Sequence, residues 1–414
     1  MTHSVSPSVR QYALITGNYW AFTITDGALR MLVVLHFHSL GYDTLDIAFM
    51  FIFYELFGVI TNLLGGYFGA RIGLNRIMNI GLGLQLVALS MLLVNPSLLT
   101  VAWVMAAQAI SGIAKDLNKM SAKSAVKLLA PAHQNASLYR WVALLTGSKN
   151  ALKGLGFFLG GALLSSVGFS TSILLMLTGL SLVWLLSLIL LKADLGRSKN
   201  KPKISQLLSK NASINRLSGA RLFLFAARDV WFVVALPVYL AQQLGWAYWQ
   251  VSGFLAAWIV GYGLVQMLTP RLTHTIQDQQ TITALSLVHK TAFRWQSSLC
   301  LVPITMAFGL SMHGDNTAVL IVGLGVFGIV FAVNSTLHSY LILALAKADN
   351  VAMDVGFYYM ANAAGRLLGT LLSGWVFLEF GFIACLLLSS ALIAFTAVIT
   401  YSMAGEDQAD ATVL

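Results

Sequence analysis

The stretch "KADLGRSKNKPKISQLLSKNASINR", residues 192–216, divides an otherwise apolar chain near its centre. It is the longest basic run in 414 residues, of which 58% are hydrophobic and only 10% are charged. Soluble domains carry about 25% charged residues, so this composition predicts an integral membrane protein. In such a protein the basic run is expected to lie in water, as a linker between two apolar halves.

Apolar segments of membrane-spanning length lie on both sides of this run, since a helix needs about 20 mostly apolar residues to cross the hydrocarbon. Twelve are predicted, at 12–38, 45–69, 77–94, 98–122, 138–165, 169–191, 218–242, 248–269, 296–313, 317–346, 352–378 and 381–403. The predicted fold class is therefore an all-α integral membrane protein with twelve transmembrane helices. Its parts are an N-terminal six-helix half at 1–191, a cytoplasmic linker at 192–217, a C-terminal six-helix half at 218–403 and a tail at 404–414.

Lys and Arg are distributed unevenly among the connections between these segments. Every second connection contains neither residue, whereas the alternate ones contain Arg71 and Arg76, Lys123 and Lys127, and the basic run itself. The positive-inside rule then places both termini in the cytoplasm of a multi-pass protein. The net charge of +10 has the same origin, so it does not indicate nucleic-acid binding.

The two halves are related in sequence, which indicates an internal repeat. The aligned positions are Lys153 with Arg366, Gly156 with Gly369, Gly161 with Gly374, the "GF" at 168–169 with the "GF" at 381–382, and Gly41 with Gly245. Twelve helices in two repeated halves with a cytoplasmic linker resemble the major facilitator superfamily. That resemblance implies a substrate site near the membrane midplane, between the halves.

The loop after the second segment, "GYFGARIGLNR", resembles the gating motif of that superfamily, Gly-x-x-x-Asp-Arg-x-Gly-x-x-Arg. The matching residues are Gly66, Arg71, Gly73 and Arg76, while Ala70 stands in the place of the acid. The gating role of this loop is therefore expected without its acidic partner.

Glycines of the fifth segment follow part of an antiporter pattern of the superfamily. Gly147, Gly156 and Gly160 keep its spacing, and Gly161 stands where the pattern has proline. Export is one interpretation of these glycines, and close packing of helices is the alternative.

Ionisable side chains inside the segments are costly in hydrocarbon, so they are candidates for function. Four acids are candidate proton-coupling sites, namely Asp26, Glu55, Asp116 and Asp229. Eight bases are candidates for function, namely Arg30, Lys115, Lys119, Lys149, Lys153, Arg221, Arg228 and Arg366. These bases outnumber these acids, which predicts an anionic cargo, and Arg with Lys suits phosphate-like oxyanions.

The depth of each base orders the candidates for anion binding. Lys149 and Lys153 lie about midway along the fifth segment, and Arg366 is the repeat partner of Lys153. Arg30, Lys119, Arg228 and Lys115 form a second tier. Lys123 and Lys127, at the end of the fourth segment, are expected to reach water or lipid headgroups. Asp26 and Arg30 are spaced to pair along one helix, whereas Arg228 and Asp229, being adjacent, are expected to pair with other helices.

Cysteine content and motifs exclude several classes. Only Cys300 and Cys385 are present, in different apolar segments, so neither a disulfide framework nor a Cys-rich metal site is expected. No nucleotide-binding loop, metalloprotease motif or nucleophile elbow occurs, and no segment outside the membrane is long enough to fold alone. We therefore expect neither an enzyme nor a cofactor or metal site.

Four stretches closely resemble the ArsJ-type organoarsenical efflux permeases of bacterial arsenic-resistance operons. They are "TGNYWAFTITDGALRMLVVLHFHSLGY", "SGIAKDLNKMSAKSAVKLL", "YRWVALLTGSKNALKGLGFFLGG" and "LFAARDVWFVVALPVYL". The resemblance implies a monomeric inner-membrane exporter of 1-arseno-3-phosphoglycerate that confers arsenate resistance. Its functional partner would be glyceraldehyde-3-phosphate dehydrogenase, which makes the cargo. An alternative is a transporter or exchanger of another organic phosphate.

Overall fold

The secondary structure of the described part of the chain is helical. The computed structural model describes residues 7–42, 47, 50–130, 134–191, 195–198, 202–208, 211–273, 282–313 and 316–413. The remaining residues of the predicted linker, the start of the predicted second segment and the polar stretch at 274–281 lie outside these ranges. Nothing in the described ranges forms a β-strand, as expected for an all-α membrane protein.

The helices correspond to the predicted segments, with differences at two of their starts. They are α1 Pro7–Ser39, α2 Ile52–Ile72, α3 Leu74–Met91, α4 Val101–Leu129, α5 Asn135–Val167, α6 Phe169–Leu190, α7 Ala212–Phe232, α8 Ala235–Gln242, α9 Tyr248–Thr273, α10 Ile282–His313, α11 Thr317–Leu345 and α12 Val351–Val413. Helix α10 begins 14 residues before the predicted start at 296, and α7 begins within the predicted linker. Helices α7 and α8 together correspond to the predicted seventh segment. Helix α12 contains the eleventh and twelfth, which meet at a break at Gly381.

Glycines with positive φ separate several of these elements, because an L-residue with a side chain rarely adopts that conformation. Gly168, before α6, has φ 78°, and its repeat partner Gly381, within α12, has φ 77°. Gly41 and Gly245, also aligned in the repeat, have φ 87° and 65°. The aligned glycines thus make the same kind of turn in both halves of the sequence.

Six helical stretches in the described ranges are long and apolar enough to cross a membrane, judged by length and composition. The last of them, Val351–Met403, contains two predicted spans. Helix α4 is not among the six, since it carries Lys115, Asp116, Lys119, Lys123 and Lys127. A count by apolarity therefore omits a helix whose charges make it a candidate for function.

Contacts between Cα atoms divide the chain into two compact units. Unit 1 comprises Met1–Ala130, Ser148–Ser209 and Ala346–Met360. Unit 2 comprises Pro131–Gly147, Lys210–Leu345 and Ala361–Leu414. In unit 1, α1, α2 and α3 all pack on α4, so the charged helix is central to its unit. In unit 2, α9 and α10 pack on α11, around a core that includes Trp231, Phe327 and Phe331.

Glycines allow α5 to approach α1 closely in unit 1. A Cβ atom added to Gly156 would lie 2.6 Å from the carbonyl oxygen of Ile24, and one added to Gly160 would collide with that of Ala28. In unit 2, a Cβ atom on Gly147 would collide with the carbonyl oxygen of Gly263. Close packing therefore accounts for these three glycines without any role in antiport.

Candidate functional site

A cluster of charged side chains in unit 1 joins α1, α2 and α4. The Glu55 carboxylate on α2 lies 3.5 Å from a guanidinium nitrogen of Arg30 on α1 and 3.8 Å from the Lys115 ammonium on α4. Arg30 and Glu55 are both about one-third exposed. One carboxylate therefore bridges two cations that belong to different helices.

Asp116 is a second carboxylate that bridges two cations of this cluster, and it is more buried than Glu55. Its side chain is only 2% exposed, and it contacts the Lys119 ammonium and lies 3.8 Å from that of Lys115. Lys119 is one helical turn further along α4, so the helix itself brings the two side chains together. Burying a carboxylate without a partner would be costly, and these lysines offset that cost.

The aromatic ring of Tyr54 also contacts two of these cations. The Tyr54 ring centroid is 3.7 Å from the Lys115 ammonium and 5.4 Å from the Arg30 guanidinium carbon, both within cation–π range. The hydroxyl of Tyr54 donates a 2.6 Å hydrogen bond to Asp26. Tyr54 therefore connects the carboxyl group of Asp26 to the cations of the cluster.

Two expectations about these residues are not met, one about pairing and one about exposure. Asp26 and Arg30 are spaced to pair with each other, but their contacts are Tyr54 for Asp26 and Glu55 for Arg30. Lys123, expected to reach water or headgroups, is only 5% exposed, and that prediction is wrong.

Lys123 is buried because a residue distant in the sequence, Tyr359, packs near it. The Lys123 ammonium lies 5.8 Å from the centroid of the Tyr359 ring, and that of Lys119 lies 5.2 Å from it. Tyr359 belongs to the first turns of α12, which are part of unit 1. This segment covers a face of α4 that the local sequence presents as solvent-exposed.

Lys149 and Lys153 are partly buried on consecutive turns of α5. The Lys153 ammonium lies 5.7 Å from the centroid of the Phe157 ring. The backbone carbonyl of Lys153 faces Gly27, which follows Asp26 in the sequence. A Cβ atom on Gly27 would lie 2.8 Å from that carbonyl oxygen. The crossing of α1 and α5 thus brings the backbone of Lys153 beside that of Asp26.

Unit 2 contains a compact triad of two arginines and one aspartate. The Arg228 nitrogens lie 2.6 and 2.5 Å from one carboxylate oxygen of Asp229, and Arg366 Nε lies 3.3 Å from the other. The prediction that Arg228 and Asp229 pair with other helices is wrong for Arg228, because its side chain is long enough to fold back onto its neighbour. For Asp229 it holds in part, since Arg366 comes from α12.

Exposure is graded across this triad. The Asp229 side chain is 0% exposed, that of Arg228 15% and that of Arg366 34%. The carboxylate therefore lies behind the two guanidinium groups, which an approaching solute would meet first.

Arg221 supplies a third guanidinium group in unit 2. It is buried, and it donates a 2.8 Å hydrogen bond to the side-chain oxygen of Asn362 and a 3.1 Å bond to the carbonyl of Ser335. Its guanidinium carbon lies 4.0 Å from the centroid of the Phe225 ring, which Arg228 also approaches, at 5.0 Å. One ring thus supports two arginines on the same helix.

The loop between α2 and α3 keeps the close packing of the gating motif. A Cβ atom on Gly66 would lie 2.6 Å from the carbonyl oxygen of Ala352, and Gly73 has φ 101° at the turn. Arg71 donates a 2.7 Å hydrogen bond to the Tyr67 hydroxyl, while Arg76 is exposed on α3.

A segment of the predicted linker binds the same loop. The Ser198 amide donates to the carbonyl of Ala70, and the Leu74 amide donates to the carbonyl of Leu195, both at 2.8 Å. Ala70, which stands where the motif has an acid, thus binds the linker through its backbone carbonyl. The sequence alone does not indicate this contact.

Three residues of these clusters were not predicted from the sequence: Tyr54, Phe225 and Asn362. Tyr54 precedes Glu55 directly, and Phe225 is one helical turn before Arg228, so spacing offered a signal for both. Asn362 carried no such signal, because its role depends on α12 packing beside α7. Among the described residues, no group of three His, Cys, Asp or Glu side chains is arranged to hold a metal ion.

Comparison with known proteins gives one family and one fold. The Major Facilitator Superfamily profile matches residues 15–289, well over half of the chain. The structure is similar to the Escherichia coli fucose:proton symporter FucP (N162A), with a TM-score of 0.74, 12% identity, and coverage of 96% of this chain and 99% of that one. No curated protein matches the sequence.

Two other solved structures share the fold. The human organic anion transporter TETRAN has a TM-score of 0.74 at 17% identity, with 96% of this chain and 100% of that one covered. A bacterial homologue of the iron transporter ferroportin has a TM-score of 0.74 at 13% identity, with 94% and 98% covered. At such identities the likeness concerns the fold alone.

Proposed function

The chain belongs to the major facilitator superfamily and is a membrane transporter of small molecules rather than an enzyme, and we propose that it exports an anionic organoarsenical, 1-arseno-3-phosphoglycerate. Export of this ester would confer arsenate resistance on a bacterial cell, with the protein as a monomer in the inner membrane. The functional partner is glyceraldehyde-3-phosphate dehydrogenase, which supplies the ester. The resemblance to the organoarsenical efflux permeases supports the choice of cargo.

The observation that carries this proposal is the excess of cations in the spans, gathered into clusters around a few carboxylates. Glu55, Asp116 and Asp229 each contact two cations. Each of these carboxylates thus meets two cations, and the oxygens of a polyanion would bring further negative charge to the same donors. Guanidinium forks and ammonium groups together match phosphate and arsenate oxygens.

The chemistry of the cysteines favours a pentavalent arsenical over arsenite. Trivalent arsenic requires soft thiolate ligands. Both cysteines are free thiols, and the Cys300 sulfur contacts the Ser390 hydroxyl at 3.2 Å. Two thiols at separate positions do not make a three-thiolate site, whereas oxyanion binding requires none.

An inside-negative membrane potential favours the exit of such a cargo. Moving one charge through 100 mV is worth about 2.3 kcal/mol, so an ester with several negative charges is driven outward strongly. Alternating access coupled to an ion gradient adds to this drive. The carboxyl groups proposed for proton coupling are Asp26, Glu55, Asp116 and Asp229, of which Asp26 contacts a neutral phenol rather than a cation.

The cargo is tested by arsenate resistance in cells with and without the dehydrogenase. We expect this protein to lower intracellular arsenic and restore growth in arsenate only when the dehydrogenase is present. Resistance to arsenite should change little. Equal protection without the dehydrogenase would contradict the proposed cargo, and counterflow of a non-arsenical phosphate ester in vesicles would then favour the organic phosphate exchanger.

The oxyanion interpretation makes a second prediction, about the thiols. The double variant Cys300→Ala with Cys385→Ala should retain nearly all arsenate resistance, because no ligand to the cargo is removed. The measurement is growth in arsenate at matched protein levels in the membrane. A large loss of resistance at normal membrane levels would contradict an oxyanion cargo.

Orientation is tested by labelling single cysteines introduced into that double variant. Ser205→Cys is exposed in the linker, and Ser97→Cys is exposed in the α3–α4 connection. We expect a membrane-impermeant maleimide to label position 97 in intact cells and position 205 only after the membrane is opened. The reverse pattern would contradict the cytoplasmic position of the linker.

A further inference from the structure

The triad of unit 2 has the composition of an anion site that is already occupied by an internal anion. Asp229 uses one oxygen for Arg228 and the other for Arg366, so each guanidinium group is paired. These are the nitrogen donors that a phosphate or arsenate oxygen would seek. An incoming oxyanion and the Asp229 carboxylate therefore compete for the same two side chains.

Burial explains why an internal competitor is useful. Two arginines side by side without an anion would repel each other and would be only partly solvated, which is unfavourable. With Asp229 behind them, they remain paired whenever the cargo is absent. The carboxylate is completely buried and the guanidinium groups are partly exposed, so a solute meets the arginines before it meets the carboxylate.

The geometry points to Asp229 as an internal counter-ion that competes with the cargo anion for Arg228 and Arg366 and promotes its release. This inference rests on the proposed anionic cargo and gives one residue of that site a specific role. Asp229 weakens binding and speeds turnover, because the arginines always have a second partner. Removing its charge then tightens anion binding, whereas a purely structural aspartate would, when removed, weaken it.

The test is anion binding to the purified full-length transporter, with 3-phosphoglycerate and inorganic phosphate as probes. In Asp229→Asn the side chain keeps its size and can still accept a hydrogen bond from one arginine. We expect its Kd for 3-phosphoglycerate to fall about tenfold, the effect of roughly 1.4 kcal/mol, while efflux per transporter slows. The double variant Asp229→Asn with Arg366→Gln should lose the gain in affinity.

A matched control removes one charge from the same unit at another place. Glu379 lies in α12 and is exposed, so Glu379→Gln should leave the Kd unchanged. Phosphate should raise the melting temperature of Asp229→Asn more than that of the wild type or of Glu379→Gln, because the anion fills the position of the lost charge. This second measurement also serves if Asp229→Asn is unstable without anion.

The outcomes separate this inference from the proposed function. If the wild type binds 3-phosphoglycerate and Asp229→Asn binds it equally or more weakly, with no greater stabilisation by phosphate, the role of Asp229 is wrong and the anionic cargo stands. If neither the wild type nor any variant binds either probe, both proposals are contradicted.

Discussion

Arg366→Ala is expected to reduce cargo efflux on the order of 10- to 100-fold while leaving the amount of protein in the membrane unchanged. A hydrogen bond to a charged group is worth about 1.5–3 kcal/mol, which sets this range. Folding should survive, because Asp229 still pairs with Arg228 when Arg366 is removed. Arg366→Lys keeps the charge but not the planar fork, so an intermediate rate is expected.

Lys153→Ala, at the repeat-related position, is expected to cause a loss of similar size, because its depth makes it a first-tier candidate for anion binding, as for Arg366. The matched control is Lys127→Ala, in the last turn of α4, where we expect a lysine to attract headgroups rather than cargo. The measurements are arsenate resistance and efflux from vesicles at equal membrane levels. If Lys127→Ala is as damaging as the other two, the ordering of bases by depth is wrong.

Much of the fold could be predicted because apolar length and glycine position are local properties. The predicted segments correspond to the helices, and the aligned glycines Gly168 and Gly381 make the same turn. Such features depend on the residues of one segment and on the bilayer thickness. The division into two compact units was less accessible, since α5 and α12 each contribute to both.

The candidate site was predicted as a set of residues and not as a set of partners. Every charged position could be read from the sequence, because a charge in an apolar helix is conspicuous. Pairing depends on which helices meet: Glu55 bridges α1 and α4, and the start of α12 covers Lys123. Arg228 and Asp229 show the limit of spacing rules, because a long side chain can fold back onto its neighbour.

Gly160→Ala is expected to destabilise the protein strongly, by about 1–3 kcal/mol, the usual cost of overpacking. The atoms that a Cβ on Gly160 would meet all belong to the backbone of Ala28, so no side-chain rotation can relieve the contact. The α1–α5 crossing would have to open, which would also move Asp26 and Lys153. We therefore expect a lower melting temperature, less protein in the membrane and, as a consequence, lost transport.

Gly161, the next residue, provides a control, because alanine there is not expected to destabilise the protein. A Cβ on Gly161 would meet only the end of the Leu35 side chain, at an ordinary 3.6 Å. Alanine favours a helix over glycine by about 1 kcal/mol, so Gly161→Ala should be neutral or slightly stabilising. The measurement is the melting temperature of both variants in detergent, together with their efflux rates. If Gly160→Ala instead melts like the wild type and yet fails to transport, the glycine serves helix movement rather than packing, and the antiporter interpretation of the glycine pattern gains support.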